Sequence, residues 1–503
     1  TKTFVAGLIG MALVILFMTI LYRFAGFISG INLLLYMLLV MGVFWLIGGV
    51  LTLPGIAALV LGIGMAVDSC VITNERIKES LEEGNSLKVA FKDGNKQSWS
   101  SIFDANVTTL IVAIVLFIFG ESSVKGFATM LMITIFATMF IMVFINRLIL
   151  SGFVKTGRFD ENPNKFVKYL KKNKEKRKKV NVKAVEITKK CFTITLIYLV
   201  IGVIYLAING FNLGIDFRSG SDVTIKADKI TVSDVKKDFK KLKYDVVSLE
   251  KQENDEIYVR LNTELKENGI NKVNNYFEDK YNAKTEINVV TDIVKQDLVK
   301  NAFYSVVIAA IAIIIYISFR FKFSYAISSI TTLLHDVLLV MALFSIFKIE
   351  VNVIFIAAIL TVIGYSINNT IVVFDRIREN QGKYKGKLTK ESLKKIVNDS
   401  VSDTITRSLY TTITTLIPVV CLIILGSKGI LPFNIAIIIG LVAGFYSSSF
   451  LAPQLWYKIE SKNLPIDERV SVKKKAEENQ DVIVQENNKK TTKKKAKKKK
   501  NKK

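Results

Sequence analysis

The hydrophobic positions of this chain fall in long unbroken runs, not in the short stripes or alternations of a water-soluble fold. About 20 apolar residues are needed to cross ~30 Å of hydrocarbon. Eleven runs reach that length: 4–22, 31–51, 54–73, 102–120, 126–146, 191–208, 302–319, 324–346, 351–373, 404–425 and 430–453. The polar intervals are of two kinds. Arg23, the stretches 74–100 and 147–190, the turn Arg320–Lys322, the stretch 375–400 and the C-terminal tail are basic, while Gly120 to Gly126, Lys348 to Glu350 and Gly426 to Gly429 carry few charges. Lysine and arginine collect in cytoplasmic loops, so the pattern predicts an α-helical polytopic membrane protein with Thr1 outside and Lys503 in the cytoplasm. The chain starts at Thr1 directly on an apolar run, and an odd span count implies a lost first helix.

One interval differs in kind. From Asn209 to Leu298 the chain reads SDVTIKAD, SDVKKDFKKL, YDVVSLEK, DEIYVRLN, ELKENGINKVNNYFEDKY and KTEINVVT. The period switches between 2 and 3.6 in the order strand, helix, strand, strand, helix, strand. That order predicts a small extracytoplasmic α+β ferredoxin-like domain, with no histidine, cysteine or glycine-rich loop to carry catalysis.

The runs also repeat. LLLYMLLVMGVF (33–44) matches LLHDVLLVMALF (333–344), GIGMAVDSCVITNERI (62–77) matches VIGYSINNTIVVFDRI (362–377), and FDANVTTLIVAIVLFIFG (103–120) matches LYTTITTLIPVVCLIILG (409–426), at offsets of 300, 300 and 306. Each block keeps its direction across the membrane. Two parallel halves related about an axis along the membrane normal are therefore expected, with six helices each if the first is missing.

Composition agrees: 50% of residues are hydrophobic, mean hydropathy is +0.36, and only 6 of 503 are proline. The net charge of +26 is concentrated, since 489–503 hold 11 lysines and no acid, leaving +15 elsewhere. A disordered cytoplasmic tail lying on anionic lipid is one reading; attraction to a polyanion such as ribosomal RNA is the other, without interleaved aromatics to make a nucleic acid a specific ligand. Cys70, Cys191 and Cys421 have neither disulfide nor zinc spacing. No nucleotide loop, metal cluster or nucleophile arrangement points to an enzyme or a cofactor.

The chemistry lies in polar residues inside the spans, where an ionised side chain costs on the order of 2.5–3.5 kcal/mol unless it is partnered. Asp68 sits about six residues inside its span, one turn after Gly64 and next to Ser69. It is either a hydrogen-bonded tie between helices or a group that takes up and releases an ion. Arg407, whose repeat counterpart is Ser101, is its expected partner across the two halves; the alternative is snorkelling to the interface. Asp336 lies deep in its span beside His335, the sole histidine. Asp104 and Asn106 open the fourth run and either cap it or function. Thr108, Thr109, Thr414 and Thr415 read as packing residues.

These residues carry a resemblance. TLPGIAALVLGIGMAVDSCVITNERI and IFDANVTTLI resemble the membrane motifs of SecD, and LGIDFRSGSD, LLHDVLLVMALF, EVNVIFIAAILTVIGYSINNTIVVFDRIREN and TRSLYTTITTL resemble those of SecF. Both sets on one chain resemble the fused SecDF protein-export membrane proteins, relatives of the resistance-nodulation-division transporters, over residues 5 to about 457. The resemblance implies a non-enzymatic accessory of the Sec translocase in the cell membrane, coupling the proton or sodium gradient to late preprotein translocation. It implies SecYEG, SecA, an unfolded preprotein, YajC and a YidC-type insertase as partners. On it the chain divides into a SecD-like half (1–150), a basic linker (151–190), the first span of a SecF-like half (191–208), the outside domain (209–298), the remaining five spans (299–457) and a lysine-rich tail (458–503), with a large outside domain upstream missing. It places Asp68, Arg407, Asp336, Asp104, Asn106, Asn368 and Asn369 in ion coupling. Asn369 stands where the SecF motif has aspartate, and Tyr410 where asparagine is commoner. A proton-driven lipid or drug exporter and a passive translocon scaffold remain the competing readings.

Overall fold

The computed structural model describes residues 2–120, 123–169, 182–227, 230–251 and 256–462. The lysine cluster 489–503 and part of the predicted linker lie outside the described residues. In chain order the elements are α1 (Lys2–Leu46), α2 (Leu53–Glu82), α3 (Leu87–Phe119), α4 (Ser123–Ala137) and α5 (Asn146–Lys155), then α6 (Ala184–Asn209), β1 (Asn212–Leu213), α7 (Ile215–Arg218), β2 (Gly220–Lys226) and α8 (Val232–Lys241). There follow β3 (Val246–Lys251), β4 (Glu256–Leu261), α9 (Glu267–Tyr281), β5 (Lys284–Val290), α10 (Asp292–Arg320), α11 (Phe323–Ile346), β6 (Glu350–Val351), α12 (Val353–Lys383), α13 (Lys390–Leu425), α14 (Leu431–Tyr446) and α15 (Ala452–Glu460). Two π-helical stretches, Thr138–Ile145 and Ser447–Leu451, join α4 to α5 and α14 to α15.

Among the described residues ten helices are long and apolar enough to cross a membrane, which makes this a multi-pass membrane protein. The first contains a fold-back. Arg23 has φ 52° and ψ −122°, and Gly30 packs against Ile15, although residues 15 apart in a straight helix would be separated by roughly 22 Å. A Cβ at Gly26 would collide with the Met18 carbonyl, so the close return requires glycine. The turn is fastened from outside: Arg23 Nη1 donates to the Asn164 carbonyl at 2.8 Å, Ala25 N to the Phe166 carbonyl at 3.0 Å, and Phe24 packs among Phe153, Phe159 and Phe166.

The basic stretches 74–100 and 375–400, expected as loops, are mostly helical. α2 runs to Glu82 and α3 restarts at Leu87, and α12 runs to Lys383 with α13 starting at Lys390 behind a Thr389–Ser392 capping box. Their polarity marks the end of the apolar run, not of the helix, and few glycines or prolines interrupt them.

Lipid supplies no hydrophobic drive for helix association, so the bundle closes through small residues. A Cβ at Gly64 would come 2.9 Å from Thr415 on α13, and Gly364 faces Thr109 on α3. These contacts pair repeat-equivalent positions in opposite directions, and α2 and α12 are the most buried of the long helices.

The soluble interval forms a four-stranded antiparallel sheet in the order β3-β4-β2-β5, with α8 and α9 on it. Alternate strand residues Val223, Ile225, Ile257 and Val259 meet Val235, Phe239, Val273 and Phe277 in a separate core. Two further strands, not foreseen, tie it down: β1 pairs in parallel with β6, Asn212 opposite Glu350. Arg260 then grips Glu350 through two bonds of 3.1 Å, and Asp222 accepts from Arg260 Nε at 3.2 Å and from Tyr258. Burial pushes the Asp222 carboxyl up despite these donors. Burial also opposes the Arg260 charge, but Glu350 and Asp222 outweigh it and hold the guanidinium firmly protonated.

The two helices of this domain are locked by Asp238, which accepts from Lys280 Nζ at 2.6 Å, Tyr281 at 2.6 Å and Tyr276 at 2.9 Å. Burial alone would raise its carboxyl, but the three donors, Lys280 first, hold it below the ordinary carboxylate range. A depressed folded-state pKa gives stability that is present above the unfolded value of about 3.9 and lost as pH falls through the folded one. Asp238→Asn should therefore speed hydrogen exchange of 232–241 and 267–281 roughly tenfold at pH 7, with variant and wild type converging in acid. A difference that persists in acid strong enough to protonate the carboxyl of the folded protein would refute this assignment of the charge.

Candidate functional site

Asp68 lies on α2, 8% exposed, where Gly64 one turn earlier lets α13 approach. Its hydrogen-bond partner is its own repeat counterpart: Asn368 Nδ2 on α12 donates to Asp68 Oδ2 at 3.1 Å. The expected direct pair with Arg407 is not formed. Arg407 on α13 is buried, so it does not snorkel, and it lies within electrostatic reach of Asp68, but its Nη2 has no hydrogen-bond partner and no ion pair within 4.0 Å joins the two. The residue that reaches the carboxylate is thus Asn368, at the offset of 300, and not Arg407.

Two small cavities flank this pair, and Asp68 and Asn368 line both. One, about 10 Å³, is bounded by Asn369, Tyr365, Thr411, Thr412 and Thr415; the other, about 20 Å³, by Ser69, Asn106 and Thr109. A single water needs roughly 10–15 Å³, so each cavity is on the scale of one. Among the described residues Asp68 is the only carboxylate lining either. Asn106 Nδ2 is held by the Ile102 carbonyl at 2.8 Å, and Thr108, Thr109, Thr414 and Thr415 bond backbone carbonyls of their own helices.

Asp104 and Asp336 belong to other clusters. Asp104 is not a cap, because α3 begins at Leu87 and carries it mid-helix. It accepts from Tyr316 at 2.8 Å and Arg320 Nε at 2.8 Å, both on α10. Asp336, fully buried, accepts from Ser366 at 2.5 Å and Ser447 at 2.8 Å and pairs with His335 Nδ1 at 2.7 Å; His335 Nε2 in turn meets Tyr198. Ser447 opens a π-helical stretch, a feature that often marks functional positions in helices. The stretches Thr138–Ile145 and Ser447–Leu451 end at positions related by the offset of 306.

Sequence reasoning missed an ionic quartet at one end of α2 and α12. Arg76 bonds Glu79 and Glu379, each at 3.1 Å, and Arg376 bonds Glu379 at 3.2 Å and Glu79 at 3.4 Å. Arg376 also reaches Asp403 at 3.1 Å. The signal was an Arg-x-x-Glu pair that recurs at the offset of 300. Among the described residues no cluster of histidine, cysteine and carboxylates could hold a metal ion.

A bundle of long apolar helices with a buried carboxylate in its interior and a small α+β unit beside it makes this a multi-pass helical membrane protein with a polar site inside the bundle. The family model for protein export membrane protein SecD/SecF, C-terminal, matches residues 1–156 and 270–462, and the SecD/SecF GG motif matches 204–229. The chain belongs to the SecD/SecF family of protein export membrane proteins. It is 43% identical over 478 residues to the protein translocase subunit SecDF of Bacillus subtilis, covering 92% of this chain and 65% of that one, and 32% identical over 461 residues to SecDF of Brucella abortus, covering 90% and 59%. The chain thus spans about two thirds or less of the length of these relatives. The crystal structure of SecDF from Thermus thermophilus, described as a translocon-associated membrane protein, superposes with a TM-score of 0.80 at 30% identity over 92% of this chain and 62% of that one. A heavy metal efflux pump shares the fold alone, with a TM-score of 0.58 at 11% identity over 91% of this chain and 68% of that one.

Proposed function

We propose that this chain is the membrane engine of a Sec export accessory that draws preproteins across the cell membrane at the expense of the proton or sodium gradient. The observation that carries the reading is Asp68: one titratable carboxylate, bonded across the repeat to an asparagine that cannot titrate, between two water-sized cavities and within reach of a buried arginine. Protonating Asp68 removes the charge that balances Arg407, and that change biases two packings of α2 and α13. Counting the two legs of α1 separately gives eleven spans, and the crossed contacts Gly64–Thr415 and Gly364–Thr109 support two parallel halves. The sheet order supports a ferredoxin-like outside domain, linked to the spans by Arg260 and Glu350. The C-terminus lies in the cytoplasm in this reading, and SecYEG, SecA and the emerging preprotein are the partners. Asp104, Asp336 and Asn369 support the coupling from neighbouring clusters and cavities.

The test uses inverted membrane vesicles in which this chain replaces the matching part of a SecDF protein such as that of Bacillus subtilis. Gradient-dependent preprotein release should vanish when a protonophore or a sodium ionophore, one and not the other, collapses its gradient. Release that survives the loss of both gradients would leave a passive scaffold.

A further inference from the structure

A cavity of about 210 Å³ opens on the outer surface of the bundle between α6, α11 and α15, lined by Phe192, Leu196, Leu199, Leu334, Leu338 and Leu455 among others. In a multi-pass membrane protein an opening ringed by exposed apolar side chains is the kind that meets hydrocarbon. The surrounding surface is apolar and exposed, with Ile194, Ile197 and Ile201 on α6 beside Leu196 and Leu334 on the rim, and α6 is the least buried of the long helices.

The polar groups in the cavity wall are already committed elsewhere. Thr195 bonds Tyr446, Thr331 and Thr332 bond carbonyls of their own helix, and His335 uses both ring nitrogens on Asp336 and Tyr198. What enters is therefore apolar and gains no hydrogen bond inside. The end at which α6 and α11 begin is different. There Lys458, exposed at the end of α15, holds its Nζ 4.3 Å from the centroid of the Phe192 ring. Lys183 and Lys394 nearby are both paired with Glu186, at 3.3 and 2.9 Å. Among the described residues no carboxylate lies within ion-pair distance of Lys458.

From this charge complementarity we infer that the groove is a binding site for one anionic phospholipid, its acyl chain in the apolar cavity and its phosphate-bearing headgroup on Lys458. Lysine at the membrane surface selects anionic headgroups, and an apolar cleft with one polar mouth matches an amphiphile. The inference rests on the chain being a multi-pass membrane protein and not on ion coupling, so either can fail alone.

The test is native mass spectrometry of the detergent-solubilised chain with phosphatidylglycerol or phosphatidylcholine added. One retained lipid is expected, with phosphatidylglycerol preferred about fivefold. Lys458→Gln should abolish the preference while keeping the lipid, and Leu338→Trp, which fills the cavity, should remove it. Equal retention of the two lipids by wild type, or an unchanged preference in Lys458→Gln, overturns the inference. So does a second copy of the chain retained in place of lipid. Should Leu338→Trp not fold, Lys458→Gln, at an exposed position, decides alone.

Discussion

Asp68→Asn is expected to leave expression and membrane insertion intact and to abolish the gradient-dependent part of preprotein release by a SecDF protein that carries this chain in place of its matching part. Asparagine matches aspartate in shape and can still meet Asn368, but it cannot titrate. Among the described residues Asp68 is the only carboxylate lining the two flanking cavities, so no described neighbour inherits the role. On the proposed reading, the roughly 2.3 kcal/mol that one charge gains across 100 mV is then no longer delivered, and a complete loss of coupling is the expected size of the effect. The substitution also leaves Arg407 buried beside a neutral group, which costs stability. Asp68→Glu separates the two consequences: it keeps the charge and should retain part of the stimulation. Normal stimulation in Asp68→Asn would sink the motor reading, and a protein that fails to accumulate would make Asp68 a structural tie.

Much of the fold was legible because its signals are local. Apolar runs mark the spans, period-2 stretches mark β2 to β5, and the offset of 300 marks the repeat. The departures are instructive. The separate runs 4–22 and 31–51 announced a turn near Arg23, but not what fastens it, because Asn164 and Phe166 lie about 140 positions away. Helical extensions at 74–82 and 375–383 were hidden because charge was taken to end the helix. At the site, Asp68 stood out by its cost in lipid, but its partner was assigned by charge complementarity when the repeat already pointed to Asn368. Asp104 was read against a span boundary that the helix ignores, and its partners Tyr316 and Arg320 lie more than 200 residues downstream. The π-helical stretches have no periodic signature at all, yet one of them presents Ser447 to Asp336.

The second large effect is expected at the quartet. Exposed ion pairs contribute about 0.2–1 kcal/mol each, but the Arg76 side chain is only 9% exposed, and a buried guanidinium stripped of its partners costs on the order of 3 kcal/mol. The double variant Glu79→Gln with Glu379→Gln removes both carboxylates from Arg76, whereas Arg376 keeps Asp403. If the quartet latches α2 to α12 in one packing of the halves, the equilibrium should shift toward the other packing by about a hundredfold. Spin labels at Glu83→Cys and Lys385→Cys, both exposed, with the native cysteines replaced, should then report a second, longer distance where wild type gives one. Adding Arg76→Met removes the stranded charge, so thermal stability should recover while the longer distance persists. That combination distinguishes a latch from a fastener, because a fastener would lose stability with the distance unchanged. Since Asp68 and Glu79 sit on one helix and Asn368 and Glu379 on its repeat partner, a latch at the quartet would tie any separation of these helices to the protonation state eleven residues away on the same helix.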